Sequence, residues 1–245
     1  MKTKKLLGLA IALMCLAACK KENPVIEPTE PPPVEKPDPL ELLRDSVSYV
    51  LDGKLMVQTE TLGRGLINAK TNVKLDSLVK QKEYISGDQD SVMFGRFFKF
   101  TDGNRNGITL SFVKKYNKNQ AQPASNQTSL FMPLNKLDLF SVGERKFALD
   151  FSRNNSQNGV VFELSGDNYG LQTNGYSSLV YHALLKPELQ KQSKFEITNL
   201  QKLKSGKYLL EAKFNASVYR GDGTNIKKIE SGFMRVKINP ESIYF

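Results

Sequence analysis

The chain reads as all-β: one antiparallel β-sandwich with little helix, preceded by a signal peptide and a disordered linker. Three observations lead there. Along Lys207–Tyr219, Tyr208, Leu210, Ala212, Phe214, Ala216 and Val218 fall on one face, and Glu211, Lys213, Asn215 and Ser217 on the other. Period two over that length is an antiparallel strand with one wet face. Next, Asp52-Gly53 separates Val47, Tyr49 and Leu51 from Leu55 and Val57; an Asp-Gly loop between alternating runs is the strongest short hairpin signal. Finally, turn-rich clusters (TDGNRNG at 101–107, RNNSQNG at 153–159, RGDGTN at 220–225) punctuate the apolar runs. Many short strands between such turns point to a sandwich.

Taken in order, the chain opens with Lys2, Lys4 and Lys5, then an apolar run from Leu6 to Ala18. Charge, then a short apolar run, then small residues is the layout of a secretory signal, here residues 1–18. The run falls short of the ~20 residues that a membrane-spanning helix needs. Leu16-Ala17-Ala18-Cys19 resembles the bacterial lipobox. That resemblance implies a diacylglycerol on the Cys19 sulfur, cleavage just before it and acylation of the new amine. The thiolate is the side chain that can be alkylated under mild conditions. Two or more acyl chains anchor firmly, at roughly 0.8 kcal/mol per buried CH₂, so the expected partner of Cys19 is a membrane. Lys20 stands where Asp would imply inner-membrane retention, so the resemblance implies the outer membrane. The CKKEN start carries one acid, Glu22, which leaves both the periplasmic and the surface-facing side open.

Residues 19–39 form the lipidated cysteine and linker, with Pro24, Pro28, Pro31, Pro32, Pro33, Pro37 and Pro39 mixed with charge. Each proline lacks an N–H, so neither helix nor sheet is expected. An extended chain at ~3.1 Å per residue makes a spacer of about 60 Å. Removing the signal takes three lysines, so the net charge becomes +10 − 3 = +7. Cys15 leaves with it, and Cys19 is the lipid site. The domain at 40–245 therefore has no disulfide and is held by its core, which about 200 residues can supply. The lysines are scattered, which suits a solvated basic surface and argues against nucleic acid.

Within the domain, residues 92–100 and 107–116 are expected to pair across TDGNRNG. Phe147, Leu149 and Phe151 are expected to pair with Val160, Phe162 and Leu164. Lys74–Lys82 and Leu134–Phe140 read as a turn or two of helix. Ile229–Ile238 returns from RGDGTN, with Gly232 at a bulge because the apolar parity shifts there. The segments SYVLDGK, KFEITNL, KYLLEAKFNASVY and IESGFMRVKI together resemble lipoproteins of the Bacteroidota in which one β-sandwich follows a lipobox and a short linker. The resemblance rests on strand pattern. It implies fold and anchorage and carries no catalytic residues.

Candidate sites are few. Asp102, Asn104 and Asn106 match the first half of a calcium loop, but its twelfth position is Val113 in place of a bidentate Glu. Turn chemistry explains the same residues. His182, the one histidine, lies near Ser177 and Ser178, but no G-x-S-x-G elbow accompanies them, and packing in SSLVYHALL is the plainer reading. One histidine and no free cysteine exclude a structural zinc site in practice. Glu144, Asp150, Glu163 and Glu211 are acids on expected strands that could pair for glycoside hydrolysis, as any β-protein offers. Tryptophan is absent, which lowers a carbohydrate-binding reading. Arg220-Gly221-Asp222 spells an adhesion tripeptide inside a turn. Ser46, Ser77 and Ser91 each sit in D-S-apolar, which resembles the O-glycosylation acceptor motif of exported Bacteroidota proteins. The expected role is a noncatalytic binding or structural module at the envelope, with no cofactor and a glycan or envelope protein as partner. The alternative is an enzyme or carbohydrate-binding component acting on envelope or external glycans.

Overall fold

The computed structural model describes residues 38–79, 82–103, 106–123, 130–175 and 184–240. Residues 1–37, which hold the expected signal, Cys19 and most of the expected linker, lie outside them. A one-turn helix, α1 (Pro39–Leu42), opens the domain: the Asp38 carboxylate accepts the Leu40 N–H at 2.9 Å, and proline suits the first helical position. The strands follow in chain order. They are β1 (Ser46–Leu51), β2 (Lys54–Gln58), β3 (Glu60–Ala69), β4 (Lys74–Val79), β5 (Lys82–Ser86), β6 (Ser91–Thr101) and β7 (Gly107–Asn117). Then come β8 (Ala121–Pro123), β9 (Phe131–Pro133), β10 (Gly143–Arg145), β11 (Gly159–Ser165), β12 (Lys194–Lys202), β13 (Tyr208–Val218) and β14 (Lys227–Ile238).

Two antiparallel sheets face each other. One has six strands in the order β10-β12-β13-β14-β1-β2; the other has four, β11-β7-β6-β3. Two ribbons, β4-β5 and β8-β9, complete the set. The core between the sheets is aromatic. Phe162 packs edge-on to Phe147, Phe195 and Phe214 with ring centroids 4.9–5.9 Å apart, the geometry aromatic quadrupoles favour. A second cluster lies on the outer face of the four-stranded sheet, where Met93, Val113, Ala148 and Val161 are buried.

The Asp-Gly hairpin forms as read, with Asp52 at φ 53° and Gly53 at 74° between β1 and β2. The β6–β7 hairpin and the β13–β14 return also form. The β14 irregularity centres on Ser231, at φ 50°, where the pairing steps from Phe214↔Gly232 to Ala216↔Ile229. Gly232 is needed beside it, because a Cβ there would stand 2.3 Å from the Phe214 ring.

Two local expectations are corrected. Residues 147–151 do not form a strand; only Phe147 bridges to Val160, and in parallel, while β11 pairs with β7. Asp150, 3 % exposed, explains this. Its carboxylate accepts the Ser156 N–H at 2.8 Å, the Ser156 hydroxyl at 2.6 Å and the Gln157 N–H at 3.1 Å. Its carbonyl accepts three more N–H groups, from Arg153, Asn154 and Asn155. These local bonds outcompete a ladder and wind the chain into turns. The second correction is Lys74–Lys82. Its described residues are strand, and a register shift between Leu75 and Ser77 interrupts the period-two pattern by which a strand is read. Leu134–Phe140 holds only a 3₁₀ turn, Asp138–Phe140.

Candidate functional site

Just past β11 the chain ties the two sheets together. Residues 171–173 run beside β11: the Leu164 N–H donates to the Leu171 carbonyl at 2.8 Å and the Thr173 N–H to the Phe162 carbonyl at 3.0 Å. The opposite edge meets the end of β13. Gln172 and Tyr219 exchange two backbone bonds, at 3.1 and 3.0 Å. Tyr219 is fully buried and its hydroxyl accepts the Lys186 N–H at 3.2 Å, a further bond at this junction.

The junction extends a polar row across the outer face of the four-stranded sheet. Lys99 on β6 faces Thr109 on β7, Thr109 faces Glu163 on β11, and Glu163 bridges to Gln172. Two turns flank the row. Gly166–Asn168 forms a 3₁₀ turn that lifts Tyr169 into solvent, 76 % exposed. The Arg220–Thr224 turn is closed by the Arg220 N–H on the Thr224 carbonyl at 3.2 Å and the Gly223 N–H on the Arg220 carbonyl at 2.8 Å. Between them lies an open cleft of about 810 Å³, lined by Lys99, Thr109, Glu163, Ser165, Tyr169 and Arg220 among others. That is the size of a ligand site, but its lining is polar where most small-molecule pockets are apolar.

The two acids of the cleft differ. Glu163 is exposed to solvent, yet the protein around it thins its water enough to push its carboxyl above the ordinary carboxylate range. Asp222 is exposed and goes the other way. It accepts the Thr224 hydroxyl at 2.7 Å and the Thr224 N–H at 2.8 Å, which hold it low. The adhesion tripeptide therefore has its aspartate committed to its own turn, in ordinary turn chemistry.

The other sequence candidates lie elsewhere. Asp102 and Asn106 close the β6–β7 turn, the Asp102 N–H donating to the Asn106 carbonyl at 3.1 Å. The Asn106 side-chain oxygen accepts the Asp167 N–H at 3.0 Å, so it serves a loop contact. Asn104 lies outside the described residues, as do Ser177, Ser178, His182 and Cys19, the expected site of lipidation. Among the described residues no group of three or more His, Cys, Asp or Glu could hold a metal ion. Ser46 is half-buried on β1, opposite Arg235. The Ser91 hydroxyl is bonded to Thr71 and donates to Asp88 at 3.2 Å. Ser77 lies on β4, and its side chain is outside the described set.

Of the four candidate acids, only Glu163 lines the cleft. Glu144 pairs with Lys194 at 2.8 Å and Glu211 with Arg235 at 2.7 Å, while Asp150 organises its turn. Lys99, Thr109 and Tyr169 carried no local motif; for Lys99 and Thr109 the available signal was a polar residue at outward parity inside apolar strands, and Tyr169, in the turn after β11, had none. Comparison of the chain with protein-family models, curated proteins and solved structures returns no match.

Proposed function

We propose that the chain is anchored to the outer membrane through lipid on Cys19, and that its sandwich is a noncatalytic binding module. Its ligand is a polyhydroxylated molecule, an envelope or external glycan, held in the cleft above the four-stranded sheet. One observation supports this: a solvent-facing tyrosine beside a row of side chains that alternate donors with acceptors. A tyrosine ring offers a large, stiff contact surface at low entropic cost, suited to the C–H face of a sugar ring. Lys99 and Arg220 donate, Glu163 accepts while ionised, and Thr109 and Ser165 do both. Glycan-array binding by the full chain tests it, with Tyr169→Ala as control. Binding lost in that variant supports the reading; no binding by wild type, or equal binding by the variant, refutes it. Labelled palmitate entering wild type but not Cys19→Ser is the expected sign of the anchor.

A specific observation favours a second reading, an enzyme acting on such glycans. Glu163 and Asp222 are two carboxylates lining one cleft, and a pair of carboxylates is the machinery of glycoside hydrolysis. Turnover of a bound glycan by wild type but not by Glu163→Gln would select it.

A further inference from the structure

Charge gathers at a different place, the mouth between the two sheets. Arg96 stands in mid-β6 on the face that carries Phe94, Phe98 and Phe100 into the core. It is 7 % exposed. Its Nη1 donates to the Asn239 carbonyl at 3.0 Å, and its Nε is buried without a hydrogen-bond partner among the described residues. Burial first, then the neighbouring Arg64, press its pKa below the usual arginine value. A buried guanidinium without a counter-charge is a costly arrangement.

The surroundings repeat the sign. Arg96 lines a pocket of about 610 Å³ together with Arg44, Arg64, Lys207 and Lys237, against one carboxylate, Asp45. Five cations less one acid leave 5 − 1 = +4. Asp45 is already committed, to the Arg64 guanidinium and to the Lys237 N–H at 2.8 Å. Lys237 donates its ammonium to the neutral Glu41 carbonyl at 2.7 Å. The Glu41 carboxylate, whose charge reaches Lys237, bonds instead to the Ser205 N–H at 2.8 Å and hydroxyl at 3.1 Å. Among the described residues the cations of this pocket therefore outnumber the anionic acceptors offered to them.

We infer that this pocket is an anion site for a phosphate ester, with the phosphoryl group seated against the Arg96 guanidinium. A phosphoryl group brings more than one negative charge and several acceptor oxygens, matching a net positive pocket better than a single carboxylate does. The planar arginine fork is the side chain that meets phosphate oxygens in pairs. The volume leaves room for the esterified group as well. One wall, Leu42–Asp45, begins at the last residue of α1, where the linker joins the domain. A soluble phosphate ester and a phospholipid headgroup share this chemistry.

The test uses the full chain made lipid-free by Cys19→Ser. Glycerol phosphate and pyrophosphate are titrated calorimetrically at low salt. In parallel, phosphatidylcholine vesicles with and without phosphatidic acid are used for co-sedimentation. Saturable binding is expected, weakened by about tenfold or more in Arg96→Met, a change of the size of one charge-assisted contact. That variant removes an unpaired buried charge, so its melting temperature is expected to hold or rise. The Arg44→Ala/Lys207→Ala double variant alters only exposed side chains; it is expected to bind several-fold more weakly with unchanged melting, and carries the test should Arg96→Met fail to fold. Binding of the soluble esters identifies a free phosphate ester as sufficient, whereas binding of phosphatidic acid vesicles alone identifies a headgroup at a membrane surface. Absence of both, or equal affinity in the variants, overturns the inference.

Discussion

The two sheets of the sandwich bury themselves differently. The six-stranded sheet hides chiefly one face, the other being covered only locally, as at Leu209 and Ser217. On β13, Leu210, Ala212 and Phe214 point inward, while Glu211 looks out and pairs with Arg235, which itself lies 5.3 Å from the Phe233 ring. The four-stranded sheet hides much of both faces: Phe94, Phe98, Phe112 and Phe162 inside, and Met93, Val113 and Val161 outside. Among the described residues its outer cover is neither helix nor strand. It is the turn series after β10, which brings Ala148 and Phe151 onto the sheet and is wound around one buried acid, Asp150. A one-faced sheet is held by alternation along its strands. A two-faced sheet is held in addition by whatever keeps its cover in place.

The sharpest way to break this contrast is Asp150→Ala. It leaves the Ser156 N–H, the Ser156 hydroxyl and the Gln157 N–H without their acceptor. A cost of about 2–4 kcal/mol is expected in denaturant unfolding, since buried donors lose bonds that water replaces only in part. Hydrogen exchange should accelerate first in β11 and its pairing with β7, with β13 and β14 still protected. Equal loss of protection in both sheets would mean that the cover matters no more to one than to the other.

A pair of glycines sharpens the contrast within the four-stranded sheet. A Cβ on Gly95, in β6, would stand 2.6 Å from the Phe112 carbonyl oxygen, which the strand pairing holds in place, and 2.8 Å from the Val113 Cγ1. Gly95→Ala is expected to cost about 1–3 kcal/mol, as overpacking does. A Cβ on Gly65, in β3, would meet only the Phe97 ring, at 2.5 Å. Phe97 is half-buried and can swing outward, so Gly65→Ala is expected to stay within about 1 kcal/mol of wild type, the gain in backbone entropy offsetting the displaced ring. Thermal melts of the two variants side by side check the order.

The same contrast explains what could be read from the residues alone. β13 was legible because its wet face shows its period. VMFGRFFKF was legible as a strand, but a strand covered on both sides loses its alternation, and that masked Arg96. The signal was there: Arg96 shares the parity of Phe94 and Phe98. The Phe147, Leu149, Phe151 alternation misled because Asp150 sits inside it and collects N–H groups from further along the chain. No local pattern announces that. The cleft was illegible for another reason. Lys99, Glu163, Tyr169 and Arg220 come from separate segments and meet only once residues 171–173 have joined β11 to Tyr219.

The smallest expected effect compares one outward acid from each sheet. Glu211→Gln removes a partly buried ion pair and is expected to lower stability by about 0.5–1 kcal/mol. Glu163→Gln should do the opposite. Its carboxyl is raised above the usual value of 4.5 by desolvation. Well below that value it is protonated both folded and unfolded, and contributes nothing. As pH rises the unfolded chain loses the proton first, so the folded state becomes relatively less stable until its own pKa is passed, and the cost persists beyond. Glu163→Gln is therefore expected to melt like wild type in acid and slightly above it at neutral pH, a modest gain because the side chain keeps contact with water. Melting curves across that range decide it. A gain at neutral pH means that the four-stranded sheet keeps an ionisable acid in its cleft at a cost to its own stability, which folding alone does not require and a ligand would. A loss would make Glu163 a structural acid like Glu211, and the cleft would then have to bind without it.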